Sequence, residues 1–338
     1  MTPQPAPKPG IYPGIPFDEY LSWEAISNTS LHPAARSMAH FNKRQPTKET
    51  RPMILGTLTH TAQFEPGWVN DRFAFMPDFA AQVQRERETE INTRIEYLES
   101  ALETAENLKQ FDEAKDLLDQ LTKARKEPKQ YERPASTSRF KSLVKQFQLQ
   151  HADKVIISEQ EFTDMIGMVR ALSNDRRAKR FLTGGQYEVS IVAIDPVTGL
   201  TCKGRLDHLD RSRGDRGLIT DLKSTQDASD YEKAISNWSY HRQLALYGDM
   251  LAWIEGEITS DIERAIVVVE SSLPYCVRSA PLDEDALETG REEYRDLLDA
   301  IAICVESQQW PGYANPDKWR LPRFHGSNAK PVNTAPAE

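Results

Sequence analysis

Three consecutive segments of this sequence, 187–194, 200–209 and 218–223, have the residue patterns of β-strands and are separated by turn sequences. The first two flank D-P-V-T-G at 195–199, which is typical of a hairpin turn. The segments predict a meander in which Asp207 of the second strand and Asp221 of the third can face each other. Two apposed carboxylates are costly unless a cation holds them together. The meander therefore constrains both the fold and the chemistry of the chain.

A lysine follows the second carboxylate two residues later. Side chains on a strand repeat with period two, so Asp221 and Lys223 share one face. Carboxylates with a backbone carbonyl between them are hard oxygen ligands suited to magnesium or manganese. Such a metal would activate water, and Lys223 would hold the attacking water or stabilise a pentavalent phosphorane. The arrangement suits phosphodiester hydrolysis. The alternative is that both aspartates are surface residues and D-L-K is a chance tripeptide.

Three further residues are candidates for the same site. His60 lies in G-T-L-T-H one helical turn after Gly56, where the backbone can approach another element closely. Its neutral imidazole could complete the metal site, although a lone histidine is more often a packed or surface residue. Arg205 lies on the same strand face as Asp207 and could clamp a phosphate. Glu188 opens the first strand and could touch the metal through water.

The segments after the meander are predicted to form a helix over 230–254, strands over 262–270 and 275–280, and a long amphipathic helix over 283–308. Gln243 and Tyr247 are four residues apart and share one face of the first of these helices. An amide and a phenol there could contact a phosphate or a base. The competing interpretation places Tyr247 in the core and Gln243 on the surface.

Composition limits the class of protein. The 338 residues contain 39% hydrophobic side chains without an 18-residue apolar run, and the first residues lack the apolar region of a secretory signal. The three widely spaced cysteines, Cys202, Cys276 and Cys304, predict reduced, buried thiols in a cytoplasm, with neither a disulfide framework nor an iron–sulfur cluster. The net charge of -9 requires any DNA path to be a confined basic groove.

The pattern of apolar residues divides the chain into four parts. Residues 1–16 are proline-rich and predict a flexible tail, and 314–338 predict another. Between them, 17–83 and 134–313 predict one domain, with helices at 53–64, 137–150, 158–173 and 176–183. Residues 84–133 interrupt it with apolar positions at 4-3-4-3 spacing among charged ones, which predicts an antiparallel helical hairpin. A solvated strut or an oligomerisation arm is favoured for it over a direct DNA clamp.

Four motifs occur in a fixed order: G-T-L-T-H at 56–60, G-R-L-D at 204–207, D-L-K at 221–223 and Q-L-A-L-Y at 243–247. In this order the chain resembles the RecB-like branch of the PD-(D/E)XK nucleases, and most of all the phage and prophage exodeoxyribonuclease VIII (RecE-type) group. Flanking segments such as I-S-N-T-S-L at 26–31 and W-P-G-Y at 310–313 support the resemblance. It covers most of 18–313 except the hairpin.

The resemblance implies an α/β (α+β) fold with a central mixed sheet flanked by helices, a restriction-endonuclease-like core. It also implies residue roles: metal binding by His60, Asp207, Asp221 and the carbonyl of Leu222, catalysis by Lys223, and completion of the site by Gln243 and Tyr247. Members of the group use Mg²⁺, which Mn²⁺ can replace, and digest linear double-stranded DNA to expose a 3′ strand for a single-strand annealing protein. Some assemble into rings around the DNA, so a homo-oligomer is expected.

The sequence therefore predicts a magnesium-dependent exonuclease that acts on duplex DNA ends in phage-type recombination. One alternative is a RecB-like nuclease for single-stranded or branched DNA. The other is a non-catalytic protein that binds DNA ends, with the hairpin as its working part. Asp207, Asp221 and Lys223 together argue against the second alternative, because a binding module does not need all three.

Overall fold

The computed structural model describes residues 2–45, 49–213, 216–258 and 261–313. The strands are β1 Gln4–Pro5, β2 Gly10–Tyr12, β3 Trp23–Glu24, β4 Phe73–Phe75, β5 Val155–Ile157, β6 Gln186–Ile194, β7 Thr201–Asp210, β8 Leu218–Thr225, β9 Glu263–Glu270 and β10 Val277–Pro281. The α-helices are α1 Phe17–Ser22, α2 Asn28–Arg36, α3 Met38–Asn42, α4 Arg51–Phe64, α5 Val69–Arg72, α6 Phe79–Asn107, α7 Phe111–Lys126, α8 Ser138–Gln150, α9 Glu159–Asn174, α10 Arg176–Leu182, α11 Tyr231–Asn237, α12 Tyr240–Glu255 and α13 Glu284–Ser307.

A six-stranded mixed sheet in the order β10-β9-β8-β7-β6-β2 forms the centre of the molecule. Strands β6, β7 and β8 pair antiparallel as predicted, whereas β8 and β9 are parallel and are joined through α11 and α12. The apolar run of β9 is buried throughout, as expected for a strand covered on both faces. The mixed sheet flanked by helices, with an inserted antiparallel hairpin, confirms the predicted fold class.

Helices cover both faces of this sheet. On one face, Leu244 and Met250 of α12 and Leu298 of α13 belong to the same buried cluster as Val268 of β9. On the other face, Leu58 of α4 packs in a second cluster together with residues of α9, α10 and β8. The middle of the sheet, where β7 and β8 lie side by side, is thus enclosed between α4 and α12. These two helices carry the residues of the motifs at 56–60 and 243–247.

Three predictions about local structure were wrong. The flexible tail predicted at 1–16 is wrong for residues 10–12, because Gly10–Tyr12 pairs with β6 as the edge strand of the main sheet. The single helix predicted over 230–254 is two helices, since Ser239 has a left-handed backbone with φ of 52°. Of the cysteines, Cys276 is exposed and not buried as predicted. The tail predicted at 314–338 lies outside the described residues.

Helices α6 and α7 form the inserted hairpin. Leu98, Leu121 and Ala124 are buried between them, so the hairpin has a small core made only of its own residues. Its base is fixed to α8 through contact between the rings of Phe79 and Phe147, with centroids 5.8 Å apart. Within the described part of the chain, no helix has the length and apolar character needed to cross a membrane.

Candidate active site

Asp207 and Asp221 meet where β7 and β8 begin to separate. The last antiparallel pair before this point joins His208 to Thr220. Asp207 directly precedes His208 and Asp221 directly follows Thr220, so the two aspartates occupy the next position on each strand. The backbone N–H of Leu222 donates a hydrogen bond of 2.7 Å to Asp207 Oδ2. The Asp207 carboxylate thus accepts a hydrogen bond that a backbone carbonyl would accept in a regular pair of strands. This bond fixes the position of the Asp207 carboxylate against β8.

Glu188 reaches the same point through an unusual backbone conformation. Its φ is 50°, in the left-handed region that non-glycine residues seldom occupy. The strand changes face here: Val189 packs in the cluster that contains α12, but Tyr187 packs against the cluster on the α4 side. Backbone conformations of this kind concentrate at functional sites, where the surrounding structure holds them in place. The distortion brings the Glu188 carboxylate to Asp207.

His60 comes to the site from α4. Its Nδ1 lies 3.6 Å from Asp207 Oδ2. One turn earlier, a Cβ on Gly56 would be 3.0 Å from Ser224 Oγ, so this glycine allows α4 to lie close to β8, as the sequence predicted. Potential ligand atoms of His60, Glu188 and Asp207 all lie within 4.8 Å of one another. The sequence suggested that Glu188 could touch the metal only through water. The structure places its carboxylate in the same group of close ligand atoms as His60.

Asp221 is 2% exposed and faces two polar partners. Gln243 Nε2 donates a hydrogen bond of 2.9 Å to its Oδ1. Lys223 Nζ lies 2.6 Å from its Oδ2, an ion-pair distance, but this buried oxygen has no aligned hydrogen-bond donor among the described residues. Asp221 is outside the group of mutually close ligand atoms formed by His60, Glu188 and Asp207. The two carboxylates and the imidazole of that group are a donor set that fits a divalent cation, and Asp221 lies beside it, near enough for its charge to act on Asp207. The residues present thus fit the metal that the resemblance implies.

Burial and neighbouring charges change the pKa of Asp207 and of Lys223. Burial raises the pKa of Asp207 to about 7; nearby His60 opposes this shift and Asp221 reinforces it. Burial alone would lower the pKa of Lys223, but Asp221 and Asp207 outweigh it and raise that pKa. Lys223 therefore carries a positive charge at neutral pH. It can hold a phosphate oxygen or a water molecule, and it is not suited to act as a base.

Tyr240 belongs to the site but was absent from the sequence prediction. Lys223 Nζ lies 4.8 Å from the centre of its ring, which stacks on Tyr231 with centroids 6.3 Å apart. The signal was present in the sequence, because Tyr240 precedes Gln243 by three residues and so lies on the same helix face. This ring limits the directions that the lysine side chain can take.

Two predicted site residues have other surroundings than expected. The Arg205 side chain is 7% exposed, and its guanidinium donates to Glu188 Oε2 at 2.8 Å, to the carbonyl of Ile15 and to Ser190. This geometry does not favour a phosphate clamp; it makes Arg205 the group that orients Glu188. Tyr247 is buried in the core cluster, which favours the competing interpretation of that residue.

The glycine of the G-R-L-D motif, Gly204, lies where the packing leaves no room for a side chain. A Cβ at this position would lie 2.7 Å from Tyr247 Cε1 and 3.2 Å from Ile191 Cγ1. We expect Gly204→Ala to lower the free energy of unfolding by about 1–3 kcal/mol, because the added methyl overfills a packed core. Urea denaturation measures this. Gly67→Ala is the control, since no atom lies within 4 Å of its added Cβ; an equal loss in both variants would contradict the packing argument.

The sequence model of one protein family, described as PDDEXK-like domain of unknown function (DUF3799), matches residues 128–317, more than half of the chain. The chain belongs to this family. The matched part of this PDDEXK-like protein contains Glu188, Asp207, Asp221, Lys223 and Gln243, but not His60. Membership supports nuclease function, and the order of acid and D-x-K on β7 and β8 agrees with the family name.

Among solved structures, the PDDEXK-like chain is similar to a protein from Eubacterium rectale described as "Putative exonuclease". The identity is 11%, 87% of each chain is covered, and the TM-score is 0.47. It is also similar to SSO0001, with 14% identity over 46% of this chain and 69% of that one and a TM-score of 0.25. No curated protein matches the sequence.

Proposed function

We propose that this PDDEXK-like protein is a metal-dependent exodeoxyribonuclease that digests linear double-stranded DNA from its ends and leaves 3′ single strands. The observation that carries the proposal is the convergence of Asp207, Glu188 and His60 beside the Asp221–Lys223 pair. The choice of duplex ends as substrate rests on the resemblance to the exodeoxyribonuclease VIII group. On the same basis we place the activity in phage-type recombination, with a single-strand annealing protein as the partner that receives the 3′ strand.

The site residues have two proposed roles, metal binding and the binding of phosphate or water. His60, Glu188, Asp207 and Asp221 would hold Mg²⁺ or Mn²⁺, with the carbonyl of Leu222 as a further oxygen ligand. When bound, the metal lowers the pKa of a water molecule and neutralises charge on the phosphate. Positively charged Lys223 would bind the attacked phosphate or orient the water beside it.

Gln243 and Arg205 act on other residues. The hydrogen bond from Gln243 Nε2 occupies Asp221 Oδ1 and leaves Oδ2 directed at Lys223. The Arg205 guanidinium holds Glu188 in the same way from the other side of the site. We assign both as positioning residues, because each donates a hydrogen bond to a carboxylate of the site. Held carboxylates need less reorganisation when the metal binds.

The test compares linear duplex, covalently closed circular and single-stranded DNA, each with Mg²⁺ or with a chelator. We expect loss of linear duplex only, with Mg²⁺ required and with no activity in Asp221→Ala. Asp296→Ala, which removes an exposed carboxylate of α13, is the matched control and should be fully active. Cleavage of closed circles would overturn the exonuclease assignment. Binding of ends without any digestion would favour the non-catalytic alternative.

A second assay addresses the strand that is removed. Linear duplexes labelled at the 5′ or the 3′ terminus of one strand should release the 5′ label at once and the 3′ label late. The remaining strand should be available to a single-strand annealing protein added afterwards, which is measured as joined product. Early release of the 3′ label would contradict the assigned polarity and leave the metal-dependent cleavage itself intact.

A further inference from the structure

The outer part of the hairpin, residues 96–119, contains a large share of the negative charge of the chain; we call it the distal arm. It has eight carboxylates and two lysines, for a net charge of -6 where the whole chain has -9. The carboxylates are Glu96, Glu99, Glu103, Glu106, Asp112, Glu113, Asp116 and Asp119. Glu99 pairs with Arg125 and Asp119 pairs with Lys123, and the other six form no ion pair with a described residue. DNA carries a dense row of negative phosphates, so this surface repels it. A partner that binds the distal arm must therefore carry positive charge.

The distal arm also exposes large apolar side chains. Tyr97, Leu108, Phe111 and Leu118 are between 53% and 78% exposed. Single exposed apolar residues need no explanation, but these four fall within 22 consecutive residues, among the carboxylates. They do not stabilise the hairpin, whose core is formed by Leu98 and Leu121 on the inner faces of its helices. Apolar residues surrounded by charge are the composition of a protein-binding surface.

The same chain presents a basic surface on α10. Arg176, Arg177, Lys179 and Arg180 are exposed, and none of them forms an ion pair with another described residue. The helix that carries them is fixed: Ala178 and Phe181 are buried in the core, and Asp175 accepts a hydrogen bond of 2.6 Å from the Ala178 N–H at its N-terminus. Four positive charges within five residues are thus held in a defined arrangement.

We propose that the distal arm of one copy binds α10 of a second copy. The part of α6 in the arm, from residue 96 to 107, spans roughly 17 Å, which gives the arm the length to reach a second copy. Both surfaces are exposed within one chain, so neither is already satisfied by the other. The contact joins two different patches and is heterologous, which generates a closed ring or a filament. The proposal rests on surface charge and is independent of the nuclease assignment.

Charge reversal tests the contact in the full-length protein. The arm variant is Glu103→Lys, Glu106→Lys and Asp112→Lys; the α10 variant is Arg176→Glu, Arg177→Glu and Lys179→Glu. Sedimentation velocity should show assembly of the wild type at low salt and less assembly at 0.5 M salt, since exposed charges are screened. Each variant alone should dissociate at least about tenfold more readily. The control is Glu292→Lys, Asp296→Lys and Glu306→Lys on α13, which should assemble like the wild type.

A mixture of the two variants distinguishes a specific contact from a general charge effect. Each reversed surface then meets an oppositely charged one on the other variant, so the mixture should assemble as the wild type does. Circular dichroism checks that each variant is folded. A wild type that stays monomeric at low salt, or two variants that remain apart when mixed, would overturn the proposal. Normal assembly with loss of DNA affinity in the α10 variant would assign that helix to DNA instead.

Discussion

Lys223→Met should reduce the rate of DNA cleavage by at least about 100-fold, as the loss of one charge-stabilising group from an active site does. The ammonium of Lys223 is 2.6 Å from Asp221 Oδ2 and is the cation that the two site aspartates hold in its charged form. Methionine keeps the length and the apolar stem of the side chain but provides no charge. Single-turnover cleavage of a labelled linear duplex in Mg²⁺ measures the change.

Loss of activity must be separated from loss of the fold. Removal of one partner of a buried ion pair costs about 3–5 kcal/mol, so Lys223→Met alone should also unfold more readily. Adding Asp221→Asn removes the uncompensated charge and should restore most of the stability while cleavage stays absent. Lys233→Met, at an exposed surface pair with Asp230, should change neither property. A folded Lys223→Met variant that cleaves at the wild-type rate would contradict the assigned role.

Much of the site could be predicted because local patterns determine it. Strand periodicity and the hairpin turn at 195–199 fixed the order of β6, β7 and β8, and this order is sufficient to bring Asp207 next to Asp221. The glycine before His60 likewise indicated a close approach of α4, which the structure has at Ser224. In each case, the deciding interaction involves residues near in sequence or a steric requirement that only one residue type meets.

The remaining features depend on contacts between distant parts of the chain. Gly10–Tyr12 becomes a strand only because β6 offers an open edge. The helix break at Ser239 and the burial of Tyr247 against Gly204 follow from how α12 packs on the sheet. Arginine is a typical phosphate-binding residue, but the guanidinium of Arg205 already donates hydrogen bonds to Glu188 and to the carbonyl of Ile15. Alternation along a strand also could not reveal the left-handed backbone that turns Glu188 into the site.

Asp207→Asn should abolish cleavage and yet stabilise the metal-free protein at pH 8. Burial raises the pKa of Asp207 from 3.8 to about 7 in the folded protein. Between these values the unfolded chain loses a proton that the folded chain retains, so the free energy of unfolding falls as the pH rises and is lowest above pH 7. The total is at most about 4 kcal/mol. Asparagine never ionises, and its carbonyl can still accept the hydrogen bond from Leu222.

Urea denaturation in chelator at pH 4.5 and pH 8 measures this difference between the wild type and Asp207→Asn. The variant should be nearly as stable as the wild type at the lower pH and more stable at the higher one. Addition of Mn²⁺ or Mg²⁺ at pH 8 should then stabilise the wild type, because the metal binds the ionised site of the folded protein, and should have little effect on the variant. Asp296→Asn on α13 should follow the wild type throughout. A variant that is less stable than the wild type at pH 8 would contradict this prediction. It would show that other groups of the protein already compensate the charge of the ionised Asp207, so that the site does not need a bound cation for its stability.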